Sequence, residues 1–443
     1  MHMDIIDIIH YSRIILIIAT IAGAAYCLYR RPFPLSPMNK KVAITMLLYP
    51  FILLLLIWYI KGNQYSTDFL IQLKLYSQNV YGRVHPIMYA LTVNTLMTIF
   101  DTPSSIIAAQ ILVMSISCGI VVYYLYKSKF PWFIAFICNS IIILCSGDYY
   151  LGIITFAIKD VFYYAFFVSL VTGLCSWCTQ ENKKAFYCIL ISLIGVSLYR
   201  FDGQLITIVT SISVFFIALK KKLNLKPYFS LIYIPMACMF LSNSVMPEVL
   251  HAKNGGTGTK YATLAELICE VVVHEGEVTP DERNRINELI MPEELIKEHH
   301  DMLPEHQGEK YIWYGFKTSS ERATYSFANT LTDKGAELLK LLLPIAYRNP
   351  KIIIKHLWEQ SYMITSYMNF PAAFFYISLI AALLLLYKEK NYFSILPFIP
   401  IWLNAFICIF VATTFEIRYA TPIVGGGIIV YFYTYRLLSK IST

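Results

Sequence analysis

Apolar runs recur along this chain at lengths that match the thickness of a bilayer, and this limits its fold more than any other feature. A helix needs roughly 20 apolar residues to cross about 30 Å of hydrocarbon. Runs of this kind occupy residues 11–29, 42–60, 104–126, 130–146, 160–178, 185–199, 204–219, 228–246, 371–387, 392–413 and 419–437. Only 14% of the 443 residues are charged and 57% are hydrophobic, whereas a soluble domain carries roughly 25% charged residues. The expectation is an all-α polytopic membrane protein with about eleven spans, rather than a large soluble core.

Charge then sets the sides. Basic residues cluster in every second connection: Arg30, Arg31, Lys40 and Lys41; Lys127 and Lys129; Lys183 and Lys184; Lys220 to Lys222 with Lys226; Lys388 and Lys390; Arg436 and Lys440. Such alternation marks cytoplasmic loops. It places the C-terminus in the cytoplasm and, with eleven spans, the N-terminus outside. A net charge of +8 spread in this way does not call for nucleic acid. The run at 14–28 lacks a basic leader and reads as a retained span, not a cleavable signal. Nearly all ten cysteines lie inside apolar runs, with only Cys269 in the long polar segment, so no disulfide framework is expected. Cys175-x-x-Cys178 reads as small residues near an inner span end rather than a redox or metal pair.

The remaining connections, 61–102, 147–159, 200–203, 247–370 and 416–418, fall outside. The chain thus divides into a membrane core at 1–246 with a long first outer loop at 61–102, an outer helical domain at 247–370, and C-terminal spans at 371–443. Within the first loop, residues 69–81 carry Phe69, Leu70, Leu73 and Tyr76 at helical spacing, and 86–100 is apolar but short. Both are expected as helices lying in the membrane interface, with 147–158 as a candidate third. In the outer domain, Thr279-Pro280-Asp281-Glu282 has the cap, the first-turn proline and the acids of a helix start, with the helix running to about residue 290. Asn349-Pro350 marks another start, and 351–363 is amphipathic and returns the chain to the membrane. His299, His300 and His306 do not complete a metal spacing.

Isolated ionisable residues at outer span ends point to one common surface, and groups at that depth are costly unless they act. Asp68 opens the first outer loop, followed by Arg83 and His85. Asp68 suits a general base, although Thr67-Asp68 also suits a helix cap. His85 precedes Pro86 and serves equally as a helix start. Lys159, next to Asp160, suits a phosphate contact or a snorkelling lysine. Arg200 and Asp202 suit a simple ion pair or a site. Arg418, flanked by Glu416 and Tyr419, is the best cation, since guanidinium binds phosphate in a bidentate manner.

A carboxylate with cationic neighbours fits transfer from a lipid-linked phosphosugar. The leaving phosphate needs cations, the acceptor hydroxyl needs a base, and water must be kept out. One carboxylate suffices for direct inversion, because phosphate leaves without protonation. Other signals are weak. Gly425-Gly426-Gly427 fits close helix packing, and Asn254-Gly255-Gly256 lacks the strand and helix of a phosphate loop. No cytoplasmic loop is long enough for a nucleotide-binding domain. No cofactor is called for, and the sequence leaves a divalent metal open.

In order, Asp68, His85-Pro86, Lys159-Asp160, Arg200-Phe201-Asp202-Gly203 and Arg418-Tyr419-Ala420-Thr421-Pro422 resemble the bacterial polytopic GT-C glycosyltransferases. One uncharacterised branch has this Lys-Asp and Arg-x-Asn-Gly pattern. Val271-Val272-Val273-His274 followed by Thr279-Pro280-Asp281-Glu282-Arg283 is similar as well. The likeness runs from about residue 63 to residue 422 and departs at Asp202, where the branch often has asparagine. It implies a GT-C-like bundle, a polyprenyl-phosphate-sugar donor, a periplasmic-side glycan acceptor and a catalytic aspartate that maps onto Asp68. By size and by its single modest outer domain, the chain resembles the phage serotype-converting glucosyltransferases that decorate lipopolysaccharide O-antigen. That resemblance implies undecaprenyl phosphate glucose as donor, the bacterial inner membrane as location and a helical periplasmic domain. An O-antigen or capsule polymerase using a lipid-linked oligosaccharide is the alternative. A flippase or transporter is disfavoured by the lack of internal repeats and of mid-span charge.

Overall fold

The computed structural model describes residues 37–82, 86–144, 156–180, 183–252, 262–301, 334–360, 370–389, 391–410 and 417–441. The expected span at 11–29, together with Arg83, His85, His306 and Glu416, lies outside them. The chain runs from α1 (Lys40–Lys61) through β1 (Gln64–Tyr65) to α2 (Thr67–Ser77), α3 (Ile87–Phe100), α4 (Ser104–Lys127) and α5 (Trp132–Leu144). After β2 (Phe156–Ala157) come α6 (Lys159–Gln180), α7 (Lys183–Tyr199), α8 (Gly203–Lys220) and α9 (Lys226–Val249). Next are α10 (Ala262–Val273), α11 (Pro280–Leu289), α12 (Glu293–Asp301), α13 (Gly335–Arg348) and α14 (Pro350–Gln360). The chain continues through α15 (Phe370–Glu389), a 3-10 turn at Tyr392–Phe398, α16 (Ile399–Phe410) and α17 (Ile417–Ile441).

Seven helices among the described residues are long and apolar enough to cross a membrane: α1, α4, α6, α8, α9, α15 and the segment Tyr392–Ile409. Within the described residues the expected apolar runs fold as helices, and two of these helices have fewer than 18 residues there. With 13 residues, α5 is about 20 Å long, and α7 has 17 residues. The Tyr392–Ile409 segment changes from 3-10 to α at Phe398–Ile399, with Pro397 inside the 3-10 turn.

Helix α6 is the hub. It is flanked by α4, α7 and α17, and 83% of its apolar window is buried, against 17% for α1. Apolar side chains all round a helix suit a buried span. On α1, Ile44, Leu48, Ile52 and Leu56 recur every fourth residue and stay exposed, a stripe suited to lipid. The glycines at 425 and 427 let helices touch: a Cβ on Gly425 would lie 2.7 Å from the Tyr164 hydroxyl, and one on Gly427 would lie 2.8 Å from Phe374 Cβ. Close packing, the role expected for these glycines, is the one they fill.

A second hydrophobic core joins α10 to α14, with Ile268, Val272, Ile286, Leu338 and Ile345 at its centre. The expected helix start at Thr279 is present: Thr279 Oγ1 accepts from Glu282 N (3.3 Å) and Glu282 Oε2 accepts from Thr279 N (2.9 Å). The start at Asn349 is present too, with α14 beginning at Pro350, while the Asn349 side chain reaches across the unit, its Oδ1 accepting from Glu277 N at 2.7 Å. Buried Glu270 on α10 holds both His274 and, across to α14, His356, each at 3.5 Å. Among the described residues no cluster of His, Cys, Asp or Glu has metal-binding geometry.

One expectation changes. The end of the 147–158 stretch is not an interfacial helix. Phe156 and Ala157 are extended and pair in parallel with Gln64 and Tyr65. Their backbone groups are met by another strand rather than by a helical turn.

Candidate functional site

The short parallel ladder places two helix starts side by side. β1 leads through Ser66 into α2, and β2 leads through Ile158 into α6. Because the strands are parallel and in register, with Gln64 opposite Phe156 and Tyr65 opposite Ala157, both helices begin at the same end. Ser66 is the cap of α2. Its Oγ accepts from Phe69 N (3.1 Å) and donates to the Ala157 carbonyl (2.8 Å), tying the two starts together. The cap is therefore Ser66 and not Thr67-Asp68. Asp68 lies inside the first turn, where the positive end of the helix favours a carboxylate. The Gln110 side-chain amide, from α4, donates to the Ile158 carbonyl and holds the residue before Lys159.

Lys159 Nζ donates to Asp68 Oδ2 at 2.7 Å, with 14% and 20% of the two side chains exposed. The two residues reach a partly shielded position, neither dry nor in bulk water. Tyr89, on α3, is fully buried close by. Burial first, then the negative charges of Asp68 and Asp160, raise its hydroxyl well above the usual tyrosine range, so it stays protonated.

One residue further on, Asp160 joins a second, drier cluster. Arg200 donates through Nη1 to Asp160 Oδ1, through Nε to Asp202 Oδ1 (2.8 Å) and through Nη2 to Asp202 Oδ2 (2.6 Å). The expected Arg200–Asp202 ion pair is present as a bidentate fork and is extended by Asp160. The guanidinium also lies 4.3 Å from the ring centre of Tyr419 and 5.2 Å from that of Tyr163, within the range of a cation–π contact. Burial opposes the charge on Arg200, but Asp202 and Asp160 outweigh it and raise its pKa further. The side chain is 9% exposed, so the cation is held in place rather than displayed.

This cluster ties four elements together. Tyr163 on α6 donates to Asn404 Oδ1 on α16 (2.9 Å), and Asn404 Nδ2 donates to the Tyr419 carbonyl in the first turn of α17 (2.9 Å). Arg418 is the residue before Tyr419 in that turn. The Arg200 turn opens α8 at Gly203, where an added Cβ would run into the Val196 carbonyl. Lys159, Asp160, Arg200, Asp202 and Tyr419 are thus brought together with Asp68 at one end of the bundle, where α2, α6, α8 and α17 all begin.

Tyr89, Gln110, Tyr163 and Asn404 were not singled out from sequence. Asn404 carried a readable signal, an amide inside the apolar run Ile399–Phe410, where a polar group demands a partner. Tyr163 carried none, because aromatic residues crowd this part of α6. Compared with family models, curated proteins and solved structures, the chain matches none.

Proposed function

We propose that this chain is an inverting glycosyltransferase that moves a sugar, glucose by resemblance, from a polyprenyl-phosphate carrier to a glycan acceptor such as lipopolysaccharide O-antigen. In this reading the protein lies in the bacterial inner membrane with about eleven spans. Its active site and its α10–α14 unit face the periplasm, and its C-terminus is cytoplasmic. The observation that carries the reading is the Asp68–Lys159 pair, held where two helix starts converge.

The chemistry follows from the pair. A carboxylate bonded to an ammonium is a weak base. When a donor phosphate binds, Lys159 turns to the phosphate, and the starts of α2 and α6 add their dipoles. Asp68 is then released. It accepts the proton of the acceptor hydroxyl as that oxygen bonds to the anomeric carbon and the bond from that carbon to the phosphate oxygen breaks, so the phosphate leaves with the bonding electrons. Three carboxylates, Asp68, Asp160 and Asp202, face two cations, Lys159 and Arg200. An anionic donor therefore needs further positive charge, for which Arg418 on α17 is the candidate; Arg83 and His85 are further substrate-binding candidates on the sequence alone. Asp160, Arg200 and Asp202 form the fixed floor against which the sugar and Tyr419 are set. Glu416 is a further substrate-binding candidate on the sequence alone.

The test is mass spectrometry of lipopolysaccharide from cells with and without the protein. A gain of one hexose per repeat supports the proposal. Unchanged repeat mass with altered chain length points instead to a polymerase, and no change in either contradicts both.

A further inference from the structure

The α10–α14 unit carries an exposed apolar face that the site does not use. On α13, Leu338, Leu341, Leu342 and Ile345 fill the second core. The opposite stripe, Leu339, Leu343 and Tyr347, recurs every fourth residue and is 46%, 61% and 88% exposed. On α14, His356 is buried while Ile354 and Trp358 are 65% and 70% exposed. Neither stripe is the side of the helix that holds the unit together. Large aliphatic and aromatic groups so exposed, on consecutive helices, make a face that water disfavours.

Three further observations name what covers it. Exposed lysines flank both stripes: Lys340 beside the first, Lys351 and Lys355 beside the second. The aromatic members, Tyr347 and Trp358, are the types that settle at the headgroup level with ring inward and polar tip outward. Helix α14 also rests against α16, part of the apolar Tyr392–Ile409 segment. Only nine residues separate α14 from α15, enough for about 30 Å of chain at full stretch. The unit that carries the stripe is therefore tied, through α14, to a helix segment long and apolar enough to cross a membrane. At 14 and 11 residues, the helices are too short to cross hydrocarbon at 1.5 Å per residue, so they suit lying along its surface.

We propose that the consecutive helices α13 and α14 seat this face on the bilayer, with Leu343, Tyr347, Ile354 and Trp358 in the headgroup–acyl boundary and Lys340, Lys351 and Lys355 against anionic headgroups. The helix pair is then a monotopic foot that fixes the height of the outer unit above the membrane. The proposal does not depend on which side of the membrane the unit occupies, nor on the sugar-transfer reading.

The experiment is fluorescence quenching of the full chain in nanodiscs of phosphatidylethanolamine and phosphatidylglycerol, with brominated lipid as the membrane quencher and iodide as the aqueous one. The signal of Trp358 is the difference between the wild type and a Trp358→Phe variant. A Tyr347→Trp variant reports the α13 stripe, and a Glu288→Trp variant on α11 is the control for water. The expected result is loss of emission to brominated lipid and resistance to iodide at 358 and 347, with the reverse at 288. A Lys351→Glu/Lys355→Glu variant should reduce the lipid quenching of Trp358. Iodide quenching without lipid quenching at either 347 or 358 overturns the proposal.

Discussion

Lys159 and Arg200 are both cations bonded to aspartates, yet they sit in different surroundings and have different consequences. The Lys159–Asp68 pair is partly exposed, so replacing Lys159 removes a contact without stranding a deeply buried charge. Lys159→Met should weaken donor binding roughly ten- to a hundredfold, the worth of a charged hydrogen bond at about 1.5–3 kcal/mol. The readout is KM for the lipid phosphosugar, with thermal unfolding nearly unchanged. Arg200 answers to two carboxylates in a dry position. Arg200→Leu takes this charged partner from buried Asp160 and from Asp202 and should cost roughly 3–5 kcal/mol of stability. A melting temperature equal to wild type in detergent would contradict its anchoring role. Arg418→Ala should weaken donor binding more than Arg418→Lys, because a lysine keeps the charge and loses only the fork. Equal and negligible effects on KM would remove Arg418 from the phosphate site.

Among the elements, the ladder of β1 with β2 and the capped start of α11 bear most on architecture. Glu282 illustrates how a cap couples to pH. Partial burial pushes its carboxyl up, but hydrogen bonds from Arg348 and from Thr279 outweigh this and hold it below 4.5. A carboxyl lowered by folding adds stability that is present above its unfolded value and is lost as pH falls through the folded one. Wild type should therefore unfold at a higher temperature than Glu282→Gln at neutral pH. The gap should close as pH drops below 4.5, the value for the unperturbed group. A gap independent of pH would show that the carboxylate's charge is not what stabilises α11. The start of α11 was legible because caps are local: Thr279, Pro280 and Glu282 sit within four residues. The ladder was not legible, because two-residue strands 91 or more residues apart leave no periodic signal. Its effect on the site was hidden for the same reason. Ser66 looked like any loop serine until Ala157 supplied the partner carbonyl.

At the scale of the molecule, apolar runs gave the helices and their order, since a stretch without charge has few stable forms in lipid. Length was harder to read: 130–146 was expected as a span, and within the described residues its helix is Trp132–Leu144. The candidate residues were legible one by one, as charges at span ends. Their grouping into a partly exposed Asp68–Lys159 pair and a buried Arg200 cluster was not, because it depends on Tyr163 and Asn404 joining α6, α16 and α17. The central claim is that Asp68 takes the acceptor's proton. Its most direct test is single-turnover sugar transfer by purified wild type and Asp68→Asn in matched nanodiscs, with a polyprenyl-phosphate sugar and an O-antigen acceptor. The account predicts a loss on the order of 10²- to 10⁴-fold in the transfer rate with folding intact. Transfer by Asp68→Asn at the wild-type rate would contradict it.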